Sequence, residues 1–292
     1  MRVHLFVAAV MAVFAGATVH AAPTANRALP PVLHWVDKSR TIKLPHGKSE
    51  PRPVTTAFWY PPASKGNGPF PLIVFGHGFA SRPSWYRRLL KGWAEAGYVV
   101  AAPVFPLGNV NAPGGPNESD IVNQPGDMSF VITKLLTLTA STTSSFSGLV
   151  DPEKVAVAGQ SDGAMTAFAT ADETPWLDDR VKAALVLSGA ILGPRRYVAH
   201  TGVPTLAVQG LADKINPPKY ARRMFRAAGR PKFLFLLRGA GHLQPYTVPG
   251  PTFYTVKDVT VAFLRHYLGK GRLSAIAKAA RKLPGAKLTI DP

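Results

Sequence analysis

The chain has 292 residues, 46% of them apolar, a formal charge of +18 and no cysteine. Its length and composition exclude a disordered or fibrous chain and fit one large domain, and the missing cysteines exclude disulfides, thiolate nucleophiles and zinc–thiolate sites. The basic excess points toward anionic surfaces, but Lys and Arg are scattered without aromatic interleaving or a nucleic-acid motif, so no nucleic-acid partner is expected.

Residues 1–21, "MRVHLFVAAVMAVFAGATVHA", place Arg2 ahead of an apolar run and end in small residues. This pattern predicts a cleaved export signal, hence a periplasmic or secreted protein. The apolar run is short for a membrane anchor. Residues 22–51 are rich in proline and read as an extended lead-in.

From 52 to 268, strand-like apolar runs alternate with amphipathic helical patterns. Strands are predicted at 55–60, 72–75, 99–103, 155–158, 183–187, 205–209 and 232–237. Most are solid apolar runs, as expected of parallel strands covered on both faces. Helices are predicted at 84–96, 126–140, 161–171, 218–228 and 256–268. Ser84 is expected to cap the first, Pro217 and Pro218 to open the fourth, and Gly97, Gly229 and Gly269 to close their helices. Residues 106–125 read as a long surface loop. Residues 269–292 read as a basic terminal helix resting on the body, with a frayed tail; its basic face is also a candidate for peripheral contact with anionic surfaces. The fold class expected is α/β: a mostly parallel sheet with helices on both faces and no separate lid domain.

Within this map "KVAVAGQSDGAMTAFA" becomes strand, sharp turn and helix, with Ser161 between Gly159 and Gly163. That is the context of a nucleophile elbow, which makes Ser161 the candidate nucleophile. A serine hydroxyl needs a base, and the base needs a carboxylate to set its tautomer. His242, in the glycine-rich loop after the strand at 232–237, is the candidate base, whereas His266 sits inside a predicted helix. Between Asp179 and Asp258 the sequence holds one acidic residue, Asp213. The chain order Ser161, Asp213, His242 is that of the α/β-hydrolases. Acyl transfer also needs donors for the oxyanion. The backbone N–H groups of Asp162 and Phe79 are the candidates, Phe79 following the strand in "LIVFGHGFAS". His77 and Tyr246 are candidate substrate contacts, and Phe79 and Tyr246 candidate apolar walls. His77 is alternatively a residue that shapes the loop.

The segments "PFPLIVFGHGFASRPSWYRRLLKGWAEAGYVVAAP", "VAVAGQSDGA", "VPTLAVQGLADKINPP" and "RGAGH" resemble α/β-hydrolases of the dienelactone-hydrolase-like, chlorophyllase and platelet-activating-factor-acetylhydrolase-like group. The resemblance spans about residues 52–268. It implies a serine carboxylic-ester hydrolase working through an acyl-enzyme, with no metal or organic cofactor; a small or lipid-like ester substrate and a monomeric chain are the accompanying expectations. The chain departs from true dienelactone hydrolases in lacking their cysteine nucleophile. It departs from polyester hydrolases in lacking their disulfide and in carrying Ser188, Gly189 and Ala190 where they place a tryptophan. Polyester cleavage, acyl transfer to an acceptor other than water, and a non-catalytic scaffold that binds anionic surfaces are the competing readings.

Overall fold

The structure is a computed structural model that describes residues 31–292. The predicted export signal lies outside the described residues. Nine strands form one sheet in the order β1-β2-β4-β3-β5-β6-β7-β8-β9. They are β1 (Val32–Lys43), β2 (Ser49–Trp59), β3 (Phe70–Gly76), β4 (Val99–Pro103), β5 (Val150–Gln160), β6 (Val181–Leu187), β7 (Thr205–Gly210), β8 (Lys232–Leu237) and β9 (Lys287–Asp291). Strands β4, β3, β5, β6, β7 and β8 run parallel, and antiparallel strands close both edges.

The solid apolar runs follow from burial on both faces. In β3, Ile73 and Phe75 pack toward α1 (Arg87–Glu95) and α6 (Pro251–Leu268), whereas Leu72 and Val74 pack toward α2 (Gln124–Ala140) and α3 (Asp162–Asp172). Helix α4 (Pro218–Ala227) covers the sheet beside α3, with Met224 against Leu234 and Leu236. Helix α7 (Leu273–Ala280) rests on α6 through Ile276 and Ala279. Each large apolar side chain removed from water in this way contributes about 1.5–3 kcal/mol.

The lead-in is not peripheral to this sheet. Most of the 22–51 segment that is described belongs to β1 and the start of β2, an antiparallel hairpin whose register shifts between Asp37 and Thr41. At that irregularity Asp37 accepts from the Ser39 N–H at 2.9 Å and from Arg40 Nε at 2.7 Å. Arg40 continues to Asp127 of α2 at 2.9 Å. Arg52 of β2, 1% exposed, grips Asp127 at 2.6 and 2.7 Å and Asp120 at 2.9 and 2.7 Å. Two bidentate pairs satisfy the guanidinium inside the protein.

Three more expectations are corrected. The C-terminal tail is not frayed, because β9 pairs with β8 and sets Leu288 and Ile290 against the core. Ser84 caps nothing: it lies in a 3₁₀ turn, Pro83–Tyr86, and α1 begins after Tyr86 without a side-chain cap. The 106–125 segment is only partly surface, since Leu107, Asn109 and Asp120 are buried and Glu118–Asn123 forms a 3₁₀ turn leading into α2.

Candidate active site

Strand β3 is followed by β4 on one side of it, while β5, on its other side, is followed by β6. Chain connections therefore diverge between β3 and β5. Such a switch point opens a crevice at the carboxyl ends of the strands, and Ser161 sits there, directly after β5. Its backbone has φ 57° and ψ −122°, a conformation rarely adopted by a residue with a Cβ. Holding it costs about 1–3 kcal/mol and requires neighbours that leave no alternative. The two glycines are those neighbours: a Cβ on Gly159 would collide with the Gly163 carbonyl, and one on Gly163 with the Gly76 carbonyl. Strand end, turn and helix start can interlock only without these side chains.

The structure brings Ser161, Asp213 and His242 together. Ser161 Oγ lies 2.9 Å from His242 Nε2, and His242 Nδ1 lies 2.8 Å from Asp213 Oδ2. Asp213, 4% exposed, is itself held in place. Its Oδ1 accepts from the Ile215 and Asn216 N–H groups at 3.0 and 2.9 Å, and Gln209 Nε2 donates to its Oδ2 at 3.0 Å. A fully hydrogen-bonded carboxylate beside Nδ1 favours the tautomer whose proton is on Nδ1, which leaves the Nε2 lone pair facing the serine hydroxyl.

The amides of Phe79 and Asp162 have no acceptor in the protein among the described residues. Asp162 opens α3, where the helix dipole adds positive potential. The loop carrying Phe79 is fixed from beneath by His77. That ring is fully buried; its Nε2 accepts from the Phe105 N–H at 3.0 Å, and its Nδ1 donates to the Gly78 carbonyl at 2.8 Å. Burial lowers its pKa to about 4, so the ring is neutral at physiological pH. His77 therefore does not contact substrate as the sequence reading allowed; it shapes the loop. Tyr246 is corrected likewise. It is fully buried, donates to the Val208 carbonyl at 3.1 Å and meets Ser188 Oγ at 2.9 Å, so it cannot wall the cleft. Phe79, 38% exposed, remains available at the mouth.

One residue escaped the sequence reading. Gln160, directly before the serine, accepts from Tyr86 Oη at 2.7 Å and donates to the His242 carbonyl at 3.1 Å. It ties the side of the site that carries Gly78 to the loop that carries His242. Nothing local marks it, because its partners lie 74 and 82 residues away. Among the described residues no group of His, Asp and Glu is arranged to hold a metal ion, and no helix is long and apolar enough to cross a membrane.

This sheet, with the strand, sharp turn and helix that hold Ser161 at the switch point, defines the α/β-hydrolase class. The solved structure of a ferulic acid esterase from Streptomyces cinnamoneus shares the fold, with a TM-score of 0.65 and 20% identity over 89% of this chain and 95% of that one. No curated protein matches the chain. Residues 27–187, more than half of the sequence, match the family described as Chlorophyllase. The chain belongs to the chlorophyllase family and is a carboxylic-ester hydrolase.

Proposed function

We propose that the protein is an exported serine esterase in which Ser161 is the nucleophile, His242 the base and then the acid, and Asp213 the residue that orients His242. The observation that carries this reading is the continuous pair of contacts, 2.9 Å from Ser161 to His242 and 2.8 Å from His242 to Asp213. Export rests on the pattern of residues 1–21.

The chemistry follows from the geometry. His242 Nε2 takes the Ser161 proton as Oγ attacks the ester carbonyl carbon, and the negative charge that develops on the carbonyl oxygen is received by the Phe79 and Asp162 N–H groups. Collapse breaks the bond to the leaving oxygen, which takes the proton from His242. Water then repeats the cycle on the acyl-enzyme. The neutral His77 supports the Phe79 loop without adding a charge beside the developing anion.

Purified protein on p-nitrophenyl acetate, butyrate and octanoate tests the reading, with Ser161→Ala, His242→Ala and Asp213→Asn alongside. A release burst followed by a linear phase is expected. Loss of several orders of magnitude is expected in each variant at unchanged fold. Hydrolysis that persisted in Ser161→Ala would overturn the assignment.

A further inference from the structure

Asp162 has two faces. Its N–H is one of the amides assigned above to the oxyanion, while its side chain lines a cleft of about 350 Å³ between α3, the loop after β6 and the start of α4. Asp162 is only 7% exposed, and its Oδ2 is buried with no hydrogen-bond partner among the described residues. Folded proteins pair nearly all such atoms, so an orphaned carboxylate oxygen needs a reason. Burial, with a smaller contribution from nearby Glu118, raises its pKa to about 6.

The rest of the cleft suggests the reason. Met165 and Ile191 offer apolar contact to a carbon chain. Glu118 and Asp162 set two carboxyl groups against one guanidinium, Arg223, which makes this cleft acidic in a chain of charge +18. Arg223, Tyr220 and Asn216 also bring donors to the lining, yet none of them pairs with the buried Asp162 oxygen.

We propose that this cleft is a substrate subsite that selects esters whose chain ends in a hydrogen-bond donor, a hydroxyl or an ammonium group, received by Asp162 and Glu118. The proposal rests on Ser161 being the nucleophile, since Asp162 follows it directly in the chain. Met165 and Ile191 carry the methylene stretch, and a chain ending in a methyl group leaves the carboxylate unpaired. Sites built to pair a polar group discriminate against analogues that lack it more strongly than apolar pockets discriminate by size.

The test compares methyl heptanoate, methyl 6-hydroxyhexanoate and methyl 6-aminohexanoate, three esters of matched length that end in methyl, hydroxyl and ammonium. In Asp162→Leu, which keeps the backbone N–H, the kcat/KM ratio of donor-ended to methyl-ended ester should fall at least tenfold. Glu118→Gln should lower the kcat/KM ratio of the ammonium-ended to the methyl-ended ester several-fold. Losses with both donor esters assign a neutral hydroxyl subsite, and losses confined to the amino ester assign a cationic one. Unchanged ratios in Asp162→Leu, with methyl heptanoate still hydrolysed, would overturn the subsite while leaving the esterase reading intact. Binding of 6-aminohexanol to Ser161→Ala, measured by titration calorimetry against Ser161→Ala/Asp162→Leu at verified fold, needs no turnover. A tenfold weaker affinity in the double variant supports the subsite; equal affinity, or no binding to Ser161→Ala, refutes it.

Discussion

Replacing Arg52 by Met removes the central cation of the buried charge cluster that joins the N-terminal hairpin to α2. The side chains of Arg52, Asp120 and Asp127 are 1%, 2% and 0% exposed, so little water reaches the carboxylates left behind. Arg40 still contacts Asp127 at 2.9 Å, and Asn123 still donates to Asp120 at 2.8 Å, which offsets part of the loss. Breaking a buried pair by deleting one partner costs about 3–5 kcal/mol. For a domain of this size that lowers Tm by about 6–20 °C. The penalty depends on pH with a definite sign. Burial already raises the Asp127 pKa against the opposing pull of Arg52. Without Arg52 the folded-state value of Asp127 rises further above its unfolded value, so the native state binds more protons than the unfolded chain. The penalty is then full at neutral pH and shrinks as pH falls through the raised Asp127 value. Urea unfolding followed by circular dichroism at pH 7.5, 6 and 5 measures both effects, and adding Asp120→Asn and Asp127→Asn should restore part of the stability. A loss under about 1 kcal/mol at pH 7.5, or one that does not shrink at pH 5, would refute this account of the hairpin's anchor.

Two further outcomes follow from the site. Asp162→Asn should stabilise the fold above pH 6: a carboxyl raised from 3.8 to about 6 destabilises the native state progressively across that window, by about 3 kcal/mol once fully ionised. Thermal unfolding at pH 4 and pH 8 should show the gain only at the higher pH, and an equal gain at both would contradict it. Gln160→Leu should lower kcat about tenfold or more with little change in KM, because it releases the His242 carbonyl and Tyr86 Oη without touching a bound ester; steady-state kinetics on p-nitrophenyl butyrate read the two constants separately.

Much of the central sheet was legible because its signals are local. A strand covered on both faces must be apolar throughout, so β4 and β8 are bounded in the structure as their sequences predict. Glycines two residues either side of Ser161 announce a turn too tight for a Cβ, and the chain order of Ser161, Asp213 and His242 does the rest. Elements whose stability comes from distant partners were not legible. Strand β9 has only Leu288 and Ile290 to mark its alternation, and β1 presents a mixed face that packing with β2 completes. Ser84 is a good capping residue on intrinsic preference, but proline at 83 places it in a 3₁₀ turn instead.

By itself the sequence determined the kinds of element, their order, and the identities of a serine, an aspartate and a histidine at strand ends. Periodicity and turn chemistry depend on neighbours a few residues apart, so they survive without coordinates. The tertiary structure alone decided that His77 and Tyr246 are buried supports, that Gln160 bridges the site, and that Asp162 keeps an unpaired oxygen beside a cleft. Those properties belong to contacts between residues far apart in the chain, and burial and hydrogen-bond satisfaction have no value until the chain has closed on itself.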